Sequence, residues 1–147
     1  MKKELNKKII LISGVGKGLG KTFLENCIEN GARVIGFTRS STDLKKIKKK
    51  YLKKSKIFIG DGKNTKFIDE IFSFLKSKNI ELDGLINNAG ERQRSSFIDI
   101  DYEEIKKLTK NNFLSKFYIT QKFIKHIKKR NISRSIVNIG SIVGERG

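Results

Sequence analysis

Residues 8–22, KIILISGVGKGLGKT, join a short apolar run to a glycine-rich loop and then to an amphipathic segment. The first five residues are apolar almost throughout, as is typical of a strand buried in a parallel sheet. Residues 19–30 carry Leu19 and Cys27 on one stripe at helical spacing, and Gly31 follows where a helix commonly ends. The unit predicts strand, loop and helix, with Cys27 in the core. Its loop amides lie at a helix N-terminus, an arrangement that attracts phosphate.

The alternation of short apolar runs and longer amphipathic segments continues along the chain. The apolar runs predict four further strands, at residues 33–37, 56–59, 84–87 and 135–139. The amphipathic segments predict helices at residues 43–52, 66–78 and 102–129. Because crossovers between parallel strands are right-handed, this strict alternation predicts an α/β fold with a doubly wound parallel sheet. The length fits one domain over residues 1–147.

The segment 102–129 carries two apolar stripes about a third of a turn apart. One stripe contains Ile105, Leu108, Asn112, Ser115 and Ile119, and the other contains Phe113, Phe117, Thr120, Ile124 and Ile127. One stripe covers the sheet. The other needs a second partner, either further elements of the same chain or another subunit.

Composition narrows the classes of partner. The chain has 147 residues and a formal charge of +18, but only seven of its 33 basic residues are Arg. Proteins that read nucleic acid rely on Arg forks and stacked aromatic rings, so the charge indicates a solvated lysine-rich surface and no specific nucleic-acid partner. A single Cys and a single His exclude an internal disulfide and a multi-histidine metal site. Apolar runs are all far shorter than the ~18 residues of a membrane span, and we expect a cytoplasmic protein without a membrane partner.

Three phosphate-binding motifs compete for the glycine loop. A P-loop would need its first glycine at Val15, and the fingerprint G-x-G-x-x-G would need a glycine at Lys21. The pattern G-x-x-x-G-x-G fits in full, at Gly14, Gly18 and Gly20.

With that loop, the chain resembles the short-chain dehydrogenases/reductases. The segment N-N-A-G at residues 87–90 ends the fourth predicted strand, and Asp61 follows the third, as in that family. Asn112 lies in the long helix where the family keeps a catalytic Asn, and Ser141, within IVNIGSIVG at residues 136–144, has the place of the catalytic Ser. The chain is identified as a member of this family with a Rossmann-like fold, and it is similar above all to 3-oxoacyl carrier-protein reductases.

The resemblance implies an oxidoreductase that moves hydride between a nicotinamide cofactor and a carbonyl or alcohol carbon. It implies a small carbonyl, alcohol or acyl-carrier substrate. For the full-length protein, the second apolar stripe of the long helix leads us to expect a homo-oligomer formed through that helix. Ser141 would hydrogen-bond the substrate oxygen, and Asn112 would support a water-borne proton path. The implied cofactor-binding residues are Ser13, Gly14, Gly16, Lys17, Gly18, Leu19, Gly20, Arg39, Asp61, Asn87, Ala89 and Gly90.

The end of the second predicted strand favours NADP(H), with NAD(H) as the alternative. Enzymes that prefer NAD place an acid there for the ribose 2′-hydroxyl. Residues 36–40, GFTRS, contain none, and Asp43 comes past the strand end. Arg39 can form a charge-assisted fork to a 2′-phosphate, and Lys17 lies where similar NADP-dependent members carry a basic residue.

The family's catalytic Tyr-x-x-x-Lys pair follows the Ser by a dozen or so residues, whereas only residues 142–147 follow Ser141. Tyr102/Lys106 and Tyr118/Lys122 have the spacing but precede Ser141, and we interpret them as coincidental in so lysine-rich a chain. We expect five of the family's seven strands, and therefore either a gene product that continues or a truncated relative. The alternative function is a non-catalytic nucleotide-binding module.

Overall fold

The computed structural model describes residues 4–127 and 131–141. The strands are β1 Ile9–Ser13, β2 Arg33–Thr38, β3 Ser55–Ile59, β4 Gly84–Asn87 and β5 Ser135–Asn138. The helices are α1 Gly18–Glu29, α2 Ser41–Lys45, α3 Lys49–Leu52, α4 Thr65–Ser77, α5 Tyr102–Thr109 and α6 Ser115–His126, with a π-helical turn at Lys110–Leu114 between the last two. The strands form one parallel sheet in the order β3-β2-β1-β4-β5. This confirms the doubly wound α/β sheet.

The sheet has a hydrophobic core on each face, because successive side chains of a strand point to opposite sides. Ile10 and Ile12 of β1 belong to one core and Leu11 to the other. The first core also contains Leu24, Cys27 and Ile28 of α1, and the second contains Ile68, Ile71, Phe72 and Leu75 of α4 with Ile119 and Phe123 of α6. Burying each side chain of this size stabilises the fold by about 1.5–3 kcal/mol.

Helix α1 follows the predicted pattern at one end only. Cys27 is buried in the core as predicted, and Gly31 ends the helix with φ +97°, a conformation that suits glycine. Leu19, by contrast, is 60% exposed. The first turn of α1 therefore extends beyond the core, and its apolar side chain is available to a ligand.

The predicted helix over residues 43–52 is wrong. The segment forms two short helices, α2 and α3, separated by Lys46, Ile47 and Lys48. Ser40 caps α2 by accepting the Asp43 N–H at 3.2 Å. Ile47 is buried against the core that contains α1. The break seats Ile47 in that core, and it also interrupts a run of like charges that would destabilise one continuous helix.

The predicted long helix is interrupted by the π-helical turn. One extra residue in that turn shifts the helix face, so the buried polar side chains are those of Asn111 and Ser115, while Asn112 is exposed. The stripe predicted with constant α-helical spacing is therefore wrong at Asn112 and Ile105, which is also exposed, and right at Ser115 and Ile119. Residues 128 and 129 of the predicted helix lie outside the described residues.

The second predicted stripe lies mostly at the surface of the described chain. Phe113 is 63% and Phe117 61% exposed, and Ile124 is exposed as well. Thr120 and Ile127 are half-buried, and Ile127 packs against the α4 and α6 core. Strand β5 is exposed along its whole length. Partnering of this surface stays a prediction.

Candidate functional site

An open cleft of about 430 Å³ lies at the carboxyl edge of the sheet. Its wall includes residues that lie one or two positions after the first four strands: Gly14, Arg39, Asp61 and Asn88. Strands β2 and β4 lie on opposite sides of β1, so the chain winds in both directions from this point. Open α/β sheets bind their ligands in the crevice at such a switch point.

The glycine loop forms one wall of the cleft. Gly14 has φ +73° and Gly18 has φ +52°, conformations that side chains rarely adopt. A Cβ at Gly18 would have no atom of the described chain within 4 Å, so the space above it is open. Lys17 occupies the N-cap of α1, and lysine has no acceptor atom with which to cap the helix. The first turn of α1 therefore has no side-chain cap among the described residues, an arrangement that suits an anion.

Two other glycines allow close packing. A Cβ at Gly20 would lie 1.9 Å from the carbonyl oxygen of Gly14, so α1 can begin against the loop only without a side chain there. A Cβ at Gly16 would lie 2.5 Å from Thr38 Oγ1 and 2.9 Å from Asp43 Cβ. The predicted glycines thus have distinct roles: Gly18 leaves open space, and Gly16 and Gly20 hold the loop against β2 and α1.

Ser13 and Asn88 fasten the ends of β1 and β4 together. The Ser13 hydroxyl accepts the N–H groups of Asn88 and Ala89, each at 2.9 Å. Asn88 Nδ2 donates to the carbonyl oxygens of Ser13 and Gly14 at 3.1 and 3.0 Å. Ser13 is fully buried and is not part of the cleft wall, whereas Asn88, Ala89 and Gly90 are. Asn88, which the sequence analysis did not select, therefore positions the loop.

Asn87 points the other way. Its Nδ2 donates to Thr120 Oγ1 at 2.9 Å and to Asn138 Oδ1 at 2.8 Å, which ties β4 to α6 and β5. The side chain is fully buried, and no donor among the described residues reaches Asn87 Oδ1. The structure does not bring this predicted cofactor-binding residue to the cleft wall.

The other end of the cleft contains charged groups of both signs. Arg39 lines it, and Arg39 Nη1 lies 3.8 Å from Glu91 Oε1. Asp61 also lines it, where its carboxylate accepts the Lys63 N–H at 3.0 Å. Asp43, which the sequence places past the strand end, reaches the cleft wall and lies 3.5 Å from Lys46 Nζ. The carboxylate of Asp43 is therefore close to this end of the cleft, although Asp43 does not lie at the end of β2.

Asn112 braces the segment that follows Gly90. Its Oδ1 accepts the Glu91 N–H and its Nδ2 donates to the Glu91 carbonyl oxygen, both at 2.8 Å. A Cβ at Gly90 would be 3.5 Å from Asn112 Oδ1, so the brace lies beside the cleft wall. Next to it, buried Asn111 and Ser115 belong to the wall itself. The sequence signal that could have found Asn111 is its place beside Asn112, but only the π-helical turn turns Asn111 inward.

Ser141 lies just past the carboxyl end of β5. Two residues earlier, the carbonyl oxygen of Ile139 accepts a hydrogen bond from Lys116 Nζ at 2.9 Å. Burial lowers the pKa of the Lys116 ammonium. The Ile139 N–H donates to the Asn87 carbonyl oxygen at 3.0 Å, which extends the sheet. Among the described residues, neither Ser141 nor Asn112 forms part of the cleft wall.

The two Tyr/Lys pairs that precede Ser141 make contacts on the helix surface. The Tyr118 hydroxyl donates to Asp69 Oδ1 at 2.8 Å, and Lys122 pairs with the same carboxylate. The bond that Lys122 itself forms with Asp69 raises the pKa of the Lys122 ammonium. Lys106 Nζ lies 5.0 Å from the centre of the Tyr102 ring. None of the four residues belongs to the cleft wall among the residues described.

Comparison with known proteins agrees with the fold. The family model described as short chain dehydrogenase matches residues 8–147, and the chain therefore belongs to the short-chain dehydrogenase family. The chain is 35% identical over 145 residues to the 3-oxoacyl-[acyl-carrier-protein] reductase FabG of Buchnera aphidicola subsp. Schizaphis graminum, covering 98% of this chain and 59% of that protein. It is 26% identical to the FabG of Escherichia coli, covering 95% of this chain and 57% of that protein. The chain thus spans less than two thirds of the length of these relatives.

Solved structures show the same fold. A short-chain dehydrogenase from Streptomyces avermitilis superimposes with a TM-score of 0.85 at 25% identity, covering 95% of this chain and 51% of that chain. A short-chain dehydrogenase/reductase from Serratia marcescens gives a TM-score of 0.87 at 20% identity, covering 97% and 59%. Among the described residues, none of the helices combines the length and the hydrophobicity that crossing a bilayer requires.

Proposed function

We propose that this chain is the nucleotide-binding part of an NADP(H)-dependent oxidoreductase acting on a carbonyl or alcohol substrate. The observation that carries the proposal is the open space above Gly18, at the start of a helix that has no side-chain cap of its own. A helix N-terminus with free amides, set at the switch point of a parallel sheet, suits the pyrophosphate of a dinucleotide. Family membership supports the same assignment.

The residues present fit a dinucleotide along the whole cleft. Gly14, Gly18 and Leu19 would hold the pyrophosphate, with Gly16 and Gly20 keeping the loop in place. Asp61 would face the adenine, while Ala89 and Gly90 would line the path towards the nicotinamide end. Ser13 and Asn87, which are buried behind this wall, would act by positioning it.

The bound cofactor would supply or accept the hydride. We propose that Ser141 hydrogen-bonds the substrate oxygen, because the chain brings it to the carboxyl edge of the sheet just after β5. Both the oxygen and the nitrogen of the Asn112 side-chain amide are hydrogen-bonded to the Glu91 backbone. Its side chain would therefore act by positioning, and the π-helical turn around it would supply carbonyl groups for a water-borne proton path.

Arg39 and Lys17 support the preference for NADP(H), since both line the cleft and would flank a 2′-phosphate. Arg39 is 53% exposed at its side chain and can turn towards a ligand. Asp43 in the same wall, paired with Lys46, is the feature that would favour NAD(H).

The substrate class we propose is the 3-oxoacyl group of an acyl-carrier substrate, because the FabG relatives are named for it and a +18 surface suits an acidic carrier. The exposed Phe113, Phe117 and Ile124 support a homo-oligomer formed through α6 and the π-helical turn. We further propose a cytoplasmic location.

The test is a fluorescence titration of the purified chain with NADPH. We expect saturable binding that Gly18→Val abolishes, because the new side chain would occupy the phosphate space. Gly31→Val is the matched control, since it also replaces a glycine of positive φ but lies at the far end of α1. Equal loss in both variants, or no binding by the unmutated chain, would contradict the nucleotide site. Turnover of a 3-oxoacyl substrate, assayed with the longest protein that the gene encodes, separates an enzyme from a binding module.

A further inference from the structure

Glu91 directly follows the N-N-A-G segment, and its carboxylate lies among three partners. Glu91 Oε1 is 3.8 Å from Arg39 Nη1 and 3.9 Å from Lys107 Nζ. Glu91 Oε2 accepts a hydrogen bond from Asn111 Nδ2 at 3.3 Å. Its side chain is 28% exposed, so these interactions are only partly screened by water.

The backbone of Glu91 is held on both sides, so its side chain starts from a defined position. Asn112 holds both the N–H and the carbonyl oxygen of Glu91 at 2.8 Å. The Glu91 side chain therefore reaches Arg39 from a braced backbone, and Arg39 is the more exposed partner of the pair. Arg39, with more of its surface in water, is thus the side chain with more room to turn when the pair separates.

We propose that Glu91 is a specificity-determining residue that competes with the ribose 2′-phosphate for Arg39. This inference rests on the proposed function. In the free protein Arg39 pairs with Glu91, and a 2′-phosphate must draw the guanidinium away from that carboxylate. A ligand that has only a 2′-hydroxyl does not need Arg39 and avoids this cost. Glu91 thus lowers the preference for NADP(H) over NAD(H) below what Arg39 alone would give.

Lys107 and Asn111 make the exchange feasible. When Arg39 turns to the phosphate, the Glu91 carboxylate keeps Lys107 and the Asn111 amide as partners and is not left unpaired. A phosphate also carries more charge and more acceptor oxygens than one carboxylate. The competition therefore weakens phosphate binding without preventing it.

The experiment uses two probes that differ only at the ribose 2′ position: adenosine 2′,5′-bisphosphate and AMP. Calorimetric titration of Glu91→Gln at about 0.1 M salt is expected to show about two- to fivefold tighter binding of the bisphosphate, the range of a partly exposed ion pair. AMP affinity is expected to stay the same. Glutamine keeps the shape and still accepts from Asn111, and a thermal melt checks that the variant is folded.

Two further variants identify the cause. Glu103→Gln removes the same charge from α5, where Glu103 pairs with Lys106, and we expect it to leave both affinities unchanged. In an Arg39→Gln background, Glu91→Gln should no longer tighten bisphosphate binding, because there is no guanidinium to release.

The inference is overturned if Glu91→Gln changes both affinities alike or neither, if Glu103→Gln has the same effect, or if the gain survives without Arg39. Should the unmutated chain bind neither probe, the proposed nucleotide site itself fails. Binding of AMP together with an inert Glu91→Gln would refute only the role of Glu91.

Discussion

The glycine-loop half of the molecule and the β5 half are built differently. Around the loop, Ser13 and Asn88 bind four backbone groups, and Gly16 and Gly20 pack where a Cβ would collide with neighbouring atoms. Strand β5 is exposed along its length, and Phe113 of the π-helical turn and Phe117 of α6 are exposed as well. The difference teaches that the glycine-loop wall of the cleft is held in place by contacts within the described chain, whereas the β5 half leaves its strand and two aromatic side chains exposed.

The sharpest contrast between the two halves is expected from one pair of glycine substitutions. Gly20→Ala places a Cβ 1.9 Å from the Gly14 carbonyl oxygen and should lower the free energy of unfolding by about 3 kcal/mol, with loss of nucleotide binding. In Gly140→Ala the new Cβ has no atom of the described chain within 4 Å, so the free energy of unfolding should change by less than about 0.5 kcal/mol. Urea denaturation measures both. Equal effects would remove the contrast.

A smaller contrast is expected between two serines. Ser13→Ala removes the acceptor for the Asn88 and Ala89 N–H groups inside the protein, at a cost of about 2 kcal/mol. Ser135→Ala, on exposed β5, should cost less than about 0.5 kcal/mol. Thermal melts of the two variants provide the comparison, and a larger loss for Ser135→Ala would show that β5 is the more tightly held half.

The exposed aromatic surface should affect assembly rather than folding. Phe117→Ser removes a side chain that is 61% exposed, so we expect less than about 0.5 kcal/mol change in stability and a shift towards monomer in sedimentation. Leu19→Ser is the matched control from the glycine-loop half, where an apolar side chain is equally exposed, and it should leave the oligomeric state unchanged. A monomeric unmutated chain would contradict assembly through this surface.

The smallest effect concerns the pH dependence of the β5 half. Burial lowers the pKa of Lys116, so the unfolded chain binds more protons there just below pH 10.5 and the folded state gains stability as pH rises through that range. Lys116→Met removes this gain. Unfolding of the two proteins followed from pH 8 to 10.5 should show the stability of the unmutated protein rising relative to Lys116→Met. A constant difference would show that the ammonium is not desolvated.

Periodicity alone predicted the strands to within about one residue. The apolar runs of β1 and β2 are buried nearly throughout, as is typical of a parallel sheet, whereas β5 has the same pattern but is exposed. Periodicity failed where tertiary contacts override local pattern. The lysine-rich segment forms two helices instead of one because Ile47 is buried in the core between them. The π-helical turn buries Asn111 and exposes Asn112, whereas regular helical spacing predicted Asn112 on the inner stripe.

The cleft was predicted less completely than the sheet. Spacing identified the glycine loop, since a helix start that binds phosphate needs glycine at fixed positions. Spacing could not show which of two adjacent asparagines faces the loop. In the structure Asn88 hydrogen-bonds the loop, whereas the Asn87 side chain hydrogen-bonds Asn138 of β5. The contact of Glu91 with Arg39 joins distant segments, and single-sequence spacing has no signal for such a pair.

The central place of β1 bears on the order in which the molecule folds. Ile9 pairs with Arg33, which is close in sequence, whereas Ile10 pairs with Gly84 much later in the chain. Loop closure costs more entropy for the distant partner, so we expect β1, β2 and β3 to associate while β4 is still free. During synthesis β1, β2 and β3 would then be paired while the edge of β1 that later binds β4 still has no partner strand. Pulse-labelled hydrogen exchange during refolding should protect the amides of β2 before those of β4, and simultaneous protection would contradict this order.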